Sequence, residues 1–175
     1  RALLADGQRT LVFTTAVVTV AYLRRRLGSD IGWCTGERAG IGRMPVARST
    51  LLRAFAPGGS GDPSVLITTD VAAEGLDLQR ASRVVHYDLP WTSMRLDQRE
   101  GRAARLGSVH GHVEVVRFDP PDCIERRVRR LAAIARSADA PERAGLELAG
   151  TLWRWRDDLA ARFGGPSQPG TAAVT

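Results

Sequence analysis

The chain has 175 residues, 43% of them hydrophobic and 25% charged, which is the size and composition of one globular domain rather than a disordered or fibrous chain. Its net charge of +6 favours a polyanionic partner, and no apolar run approaches the roughly 18 residues of a membrane span. All 25 basic residues are arginine, so a P-loop lysine, a Schiff-base lysine and a kinase-type phosphate lysine are excluded from this chain.

In chain order, residues 1–6 read as the end of a helix, and Thr10–Thr15 as a buried strand because the run is short, apolar and β-branched. Val17, Val20, Leu23 and Leu27 recur at helical spacing and predict a helix over 16–27 that stops at Gly28. A second strand is expected at Ile31–Cys34, then a glycine-rich loop from Gly36 to Gly42. Pro45 is placed near the start of a helix that carries Leu51, Leu52 and Phe55 and ends before Pro57. After a polar turn at 57–63, Ser64–Thr69 repeats the pattern of the first strand, with Asp70 as the cap of a short helix over 71–75. Arg83–Tyr87 predicts a further strand, and Thr92 or Ser93 caps a helix running to about Arg105. His112–Phe118 is the last predicted strand; arginine-rich and longer helices follow over 123–136 and 142–162, and 164–175 has the composition of a disordered tail. The start at Arg1, already inside a helical stretch, reads as a fragment of something longer.

Strands alternating with helices through residue 136 predict a mostly parallel α/β sheet covered on both faces. Ligands sit at the carboxyl ends of strands in such sheets, which singles out Thr14–Thr15, Thr68–Asp70 and Asp88–Trp91. Cys34 and Cys123 lie far apart with no Cys-x-x-Cys and no neighbouring histidine pair, so no metal site is expected and a reducing, cytoplasmic setting is. His110 and His112 lack a third partner for a metal, and Trp91 is expected to pack beneath the following helix.

The informative segment is Ser93–Gly107. On one continuous helix Arg95, Gln98, Arg102 and Arg105 are spaced 3, 4 and 3 residues apart and share a face. A solvated stripe is the plain reading of such a run, but Gly101 argues against it. A glycine inside a helix costs about 1 kcal/mol relative to alanine and needs a packing or approach reason. Guanidiniums one turn apart, with an amide a turn before them, suit a phosphoryl group.

Here the pattern becomes specific. Gln98-Arg-Glu-Gly-Arg-Ala-Ala-Arg-Leu-Gly107 resembles motif VI of superfamily 2 helicases and translocases. Thr69-Asp-Val-Ala-Ala-Glu-Gly-Leu-Asp77 resembles their motif V, and Leu11–Thr15 their motif IV. Gly36 and the Arg48–Phe55 stretch resemble elements between those two. The join from Val84 to Gln98 is most similar to the Swi/Snf-type branch and its bacterial relatives. The resemblance spans roughly residues 8–136 and implies the C-terminal RecA-like lobe of a two-lobed ATPase, with a helical extension over 137–163. It implies Arg105 as the arginine finger, Arg102 as its companion and Gln98 as a polar contact. Gly75 and Asp77 would line the nucleotide, while Thr69, Gly36 and Thr15 would touch the nucleic-acid backbone. ATP with Mg²⁺ is the implied cofactor, the metal being held by a first lobe that is also the implied partner. The implied polymer is DNA in preference to RNA. By the same resemblance this lobe alone would hydrolyse essentially no ATP. Glu74 stands where many of these helicases carry arginine, and Asp77 where the Swi/Snf-type branch often has asparagine. The alternative is a non-catalytic module, derived from such a lobe, that binds nucleic acid or protein.

Overall fold

The computed structural model describes residues 2–118, except 57, 60, 75, 105–107 and 109, together with Cys123, Arg129, Ala133 and the backbone of 171–174. The predicted helices over 123–136 and 142–162 therefore lie almost wholly outside the described residues.

Eight strands form one sheet: β1 (Thr10–Thr14), β2 (Gly32–Cys34), β3 (Ala39–Ile41), β4 (Met44–Pro45), β5 (Val65–Thr69), β6 (Arg83–His86), β7 (Val113–Arg117) and β8 (Thr171–Val174). Their order is β4-β3-β2-β5-β1-β6-β7-β8. The five central strands are parallel, in a register that sets Thr14 beside Thr69 and Phe13 beside His86. Four helices are described: α1 (Val17–Leu27), α2 (Arg48–Arg53), α3 (Asp70–Ala73) and α4 (Ser93–Glu100), with a 3-10 turn at Ala2–Leu4. This is the mostly parallel α/β arrangement that the alternation of elements predicts, and the RecA-like lobe that the motif resemblance implies.

β1, β5 and β6 are buried at every position, which is why their sequences run apolar without alternating. Successive side chains still separate to opposite faces. Leu11, Phe13, Leu66 and Val84 pack with Leu51, Phe55 and Leu78 beneath α2 and α3. Val12, Ile67 and Val85 pack with Val20, Leu23 and Trp33 beneath α1. Each such side chain contributes about 1.5–3 kcal/mol by leaving water, so the two layers hold the parallel strands whose carboxyl ends carry the site.

Six elements differ from their sequence reading. The glycine-rich loop contains β3, which pairs antiparallel with β2, and Pro45 belongs to β4 rather than to a helix start. The cause is tertiary: the Trp33 ring lies over Gly40, where a Cβ would come within 2.6 Å of it, and the indole N–H donates to the Gly42 carbonyl at 3.0 Å. Ala2–Leu4 is a 3-10 turn where the end of an α-helix was expected. Asp70 is the first residue of α3 rather than its cap, because its carboxylate is engaged by Arg99. α4 ends at Glu100, so Gly101 closes the helix instead of interrupting it. Finally, Thr171–Val174 pairs antiparallel with β7, where composition suggested disorder. The open edge of β7 supplies backbone partners that composition does not record.

Candidate functional site

The carboxyl ends of β2, β5, β1 and β6 lie side by side, which brings Gly36, Thr69, Thr15 and Asp88 into one row along a single edge of the sheet. α4 packs beside that row through Leu96, Arg99, Glu100 and Ala103, spaced 3, 1 and 3 residues apart, the inner face of a helical turn. Two of those inward residues are charged and need partners, since a buried charge without one is strongly unfavourable.

Arg99, almost fully buried, takes three acceptors from separate strand ends. Its Nε and Nη2 donate to the Asp70 carboxylate at 2.6 and 3.0 Å, a bidentate fork, and its Nη1 donates to the Asp88 carbonyl at 2.8 Å. Its guanidinium also lies 5.6 Å from the Phe13 ring centroid. Asp88 in turn accepts from the Thr14 hydroxyl and from the Thr15 backbone N–H at 2.8 Å. The ends of β1, β5 and β6 are thereby tied to α4 through one arginine.

Glu100 points into the same layer. His86 is fully buried, with Nε2 3.0 Å from Glu100 Oε1 and Nδ1 3.5 Å from Arg99 Nη1. Facing a guanidinium, Nδ1 accepts, so the ring is neutral and Nε2–H donates to Glu100. Burial is the main cause holding the His86 pKa below its ordinary value. Burial would raise the Glu100 carboxyl, but the hydrogen bond from His86 and the Arg117 guanidinium at 3.2 Å outweigh it and keep the group ionised.

Asp97, half-buried on α4, has its pKa pushed up to about 6, first by burial and then by the Glu100 charge, against the pull of Arg117. Its folded pKa lies above the ordinary 3.8, so the folded state holds the extra proton between those values. Stability from this group is present at low pH and is lost as pH rises from about 4 to about 6. His86 acts in the opposite sense, its contribution being lost as pH falls through 6.5. Asp97→Asn is therefore expected to raise stability at pH 7 and to remove the Asp97 part of the slope while leaving the His86 part. Urea midpoints of both chains from pH 4 to 7.5 measure it; parallel curves would show that Asp97 does not titrate in this window.

Against this rigid layer opens a small cleft of about 60 Å³, lined by Asp70, Glu74, Arg95, Gln98, Arg99 and Arg102. Arg95, Gln98 and Arg102 share it although α4 ends between them. The reason is that the helical turn continues, with Gly101 N–H on the Asp97 carbonyl at 2.8 Å and Arg102 N–H on the Arg99 carbonyl at 3.2 Å. The Gln98 amide and the Arg102 guanidinium make no hydrogen bond or ion pair to the described residues, whereas Arg99 is fully committed. Arg95 stands 3.8 Å from Asp70 and is mostly exposed. The cleft thus presents unused donors for an anion over a fixed base. Sites that enclose a ligand measure about 300–1,000 Å³, so this wall needs a facing one.

The other predicted residues are distributed as follows. Asp77 is exposed. Thr69 is buried at the end of β5, and the Thr15 amide is taken by Asp88, leaving the exposed Thr15 hydroxyl. Gly36 is open, with only Val71 near enough to meet a Cβ, at 3.7 Å. Arg105 and Gly75 lie outside the described residues. Trp91 is 54% exposed rather than packed beneath α4, while Leu89, two residues earlier, is buried. The sequence reading missed Arg99, Asp70 and Asp88 as partners. The inward spacing of Leu96, Arg99, Glu100 and Ala103 was the available signal.

Residues 1–107 match the family described as the helicase conserved C-terminal domain. The chain is 38% identical over 106 residues to the ATP-dependent RNA helicase ROK1 of Gibberella zeae, covering 58% of the chain and 15% of that protein. It is 36% identical over 106 residues to the ATP-dependent RNA helicase RhlB of Xanthomonas campestris pv. campestris, covering 59% of the chain and 17% of that protein. Among solved structures, the C-terminal part of the Fun30 ATPase domain matches with a TM-score of 0.57 at 18% identity, covering 93% of this chain and 50% of that one. The E. coli DEAD-box protein SrmB bound to regulator of ribonuclease activity A matches with a TM-score of 0.51 at 24% identity, covering 77% and 73%. The chain spans less than a fifth of the length of both helicases. With its motif order, its RecA-like sheet and a family match over residues 1–107, the chain belongs to the helicase conserved C-terminal domains of superfamily 2.

Proposed function

We propose that the chain is the second ATPase lobe of an ATP-dependent helicase or translocase, working across a cleft from a first RecA-like lobe of the same protein. The observation that carries this reading is the half-built cleft. Gln98 and Arg102 offer donors that no other described residue uses, above a base locked by Arg99, and the 60 Å³ they line is one wall of a larger site. Bound MgATP would supply the phosphoanhydride whose cleavage drives movement, its metal held by the first lobe.

In this lobe Arg105 is the arginine finger, Arg102 binds phosphate oxygens beside it, and Gln98 orients through its amide. Arginines aimed at a transferring phosphoryl group stabilise charge that develops in the transition state. Gly75 and Asp77 line the nucleotide, the Asp77 carboxylate accepting from a ribose hydroxyl. Gly36, Thr69 and Thr15 form the row along which a nucleic-acid backbone runs, contacts that position a strand without reading its sequence. The protein is assigned to the cytoplasm, which suits the unpaired thiols of Cys34 and Cys123.

The polymer is read as DNA from the Swi/Snf-like join at residues 84–98. A second reading, RNA, is favoured by the names of the helicases to which the chain is 36–38% identical. Steady-state ATPase assays of the two-lobed protein, alone and with single-stranded DNA, duplex DNA or RNA, separate them. Stimulation of at least about tenfold, a barrier change of some 1.4 kcal/mol, is expected with one polymer and identifies it. Binding of nucleic acid with no hydrolysis would replace the motor reading with the binding-module alternative.

A further inference from the structure

At the opposite end of the sheet from the cleft, the carboxyl end of α1 and the β3–β4 turn enclose an open groove of about 820 Å³. Arg24 and Arg25 wall it on the α1 side, and Ile41, Arg43 and Met44 on the hairpin side. None of the three arginines has a carboxylate partner among the described residues.

The groove is built rather than fortuitous. Arg24 stacks over the Trp33 ring at 4.7 Å, and the edge of the same indole is fixed by its N–H bond to the Gly42 carbonyl. Gly42 has φ +55, and a Cβ there would lie 2.3 Å from the Ser29 carbonyl oxygen, so the floor depends on glycine where the two walls meet. Met44 is 71% exposed beside these charges, an apolar side chain left in water at the rim. On the same helix Tyr22 is half exposed, one turn before Arg26, whose guanidinium lies 5.5 Å from its ring.

We propose that this groove is a docking site for an acidic segment of a partner protein, one carrying an aliphatic or aromatic residue flanked by carboxylates. Three unpaired guanidiniums select carboxylates by charge, and a rigid, stacked arginine loses little entropy on binding them. The apolar component distinguishes a peptide from a phosphodiester, because Met44 and Ile41 offer a seat that a sugar-phosphate backbone does not need. The occupant docks through side chains rather than as an added strand. β4 is two residues long and contains Pro45, which lacks the N–H that strand addition requires. The groove's position at the amino end of β2 leaves the nucleotide and nucleic-acid edge free, so both can be engaged at once.

The test is a selection of random 12-residue peptides displayed on phage against the 175-residue chain. A synthetic copy of the enriched sequence is then titrated by fluorescence anisotropy against the chain and its variants. The expected result is enrichment of peptides with at least two acidic residues flanking an apolar one. Binding should weaken at least about tenfold, some 1.4 kcal/mol, in Arg25→Glu/Arg43→Glu and measurably in Met44→Ser, while Arg102→Ala is unchanged. These side chains are exposed, and equal urea midpoints confirm that the fold persists. Enrichment without acidic residues, or binding indifferent to the groove variants, overturns the proposal. So does a 20-nucleotide single strand that loses the same affinity in the charge-reversal variant and none in Met44→Ser, which would make the groove a phosphate-binding surface.

Discussion

Arg105→Ala in the two-lobed protein is expected to lower nucleic-acid-stimulated kcat by about 10³–10⁵-fold, the range an arginine finger contributes in phosphoryl transfer. KM for ATP should change far less, because the lost interaction strengthens only as charge develops on the phosphoryl oxygens. Arg102→Ala should cost less, about 10²-fold, as the loss of one preorganised donor among several. Nucleic-acid affinity should be retained in both variants, since the backbone contacts are assigned to Gly36, Thr69 and Thr15. Steady-state kinetics with a parallel filter-binding measurement separates the outcomes. A fall in nucleic-acid binding equal to the fall in kcat would reassign these arginines to the polymer track. Unchanged kcat in Arg105→Ala would remove the finger assignment altogether.

The second large effect is expected at Arg99, which a motif-based reading passes over. Arg99→Ala should destabilise the lobe by about 3–5 kcal/mol, the cost of breaking a buried pair and leaving its partner uncompensated. Asp70 would lose both fork hydrogen bonds, and the Asp88 carbonyl its 2.8 Å donor. Arg99→Lys keeps the charge but not the planar fork, so most of the loss should persist. Urea denaturation of the 175-residue chain, read in a double-mutant cycle with Asp70→Asn, measures the coupling. A coupling energy below about 0.5 kcal/mol would indicate residues that do not interact, which would sink the claim that this pair locks α4 to β5.

These two arginines illustrate different kinds of legibility. Arg105 is singled out by its spacing in the sequence, and its role as the finger is what the motif VI resemblance implies, since short motifs repeat at spacings that a sequence displays. Arg99 lies one position from Gln98, and its role depends on acceptors at Asp70 and Asp88, from two different strand ends. The inward pattern of Leu96, Arg99, Glu100 and Ala103 was present in the sequence. A charged pair on an inner face is interpretable only when its partners are known, and those come from β5, β6 and β7.

The same division runs through the fold. β1, α1, β5, β6 and β7 were predicted within a residue or two, because each combines an apolar run or a helical period with a clear terminator. In the β3–β4 hairpin, β3 was read as part of a loop and Pro45 as near a helix start, since Ala39–Pro45 has no period of either kind. Its strands exist because the Trp33 ring needs Gly40 beneath it and the Gly42 carbonyl beside it. Trp91 was expected to pack beneath the following helix, whereas it is 54% exposed and Leu89, two residues earlier, is buried.

By itself, then, the sequence determined the fold class and the family, both of which rest on local spacing and on the order of short motifs. Tertiary structure alone decided that, among the described residues, Gln98 and Arg102 stay unengaged while Arg99 is consumed. It also decided that Thr15 spends its amide on Asp88, and that three arginines gather in a groove at the far end of the sheet. The physical reason is that hydrogen bonds and ion pairs are allotted by distance in space, and the parallel crossover connections bring together residues that the chain holds far apart.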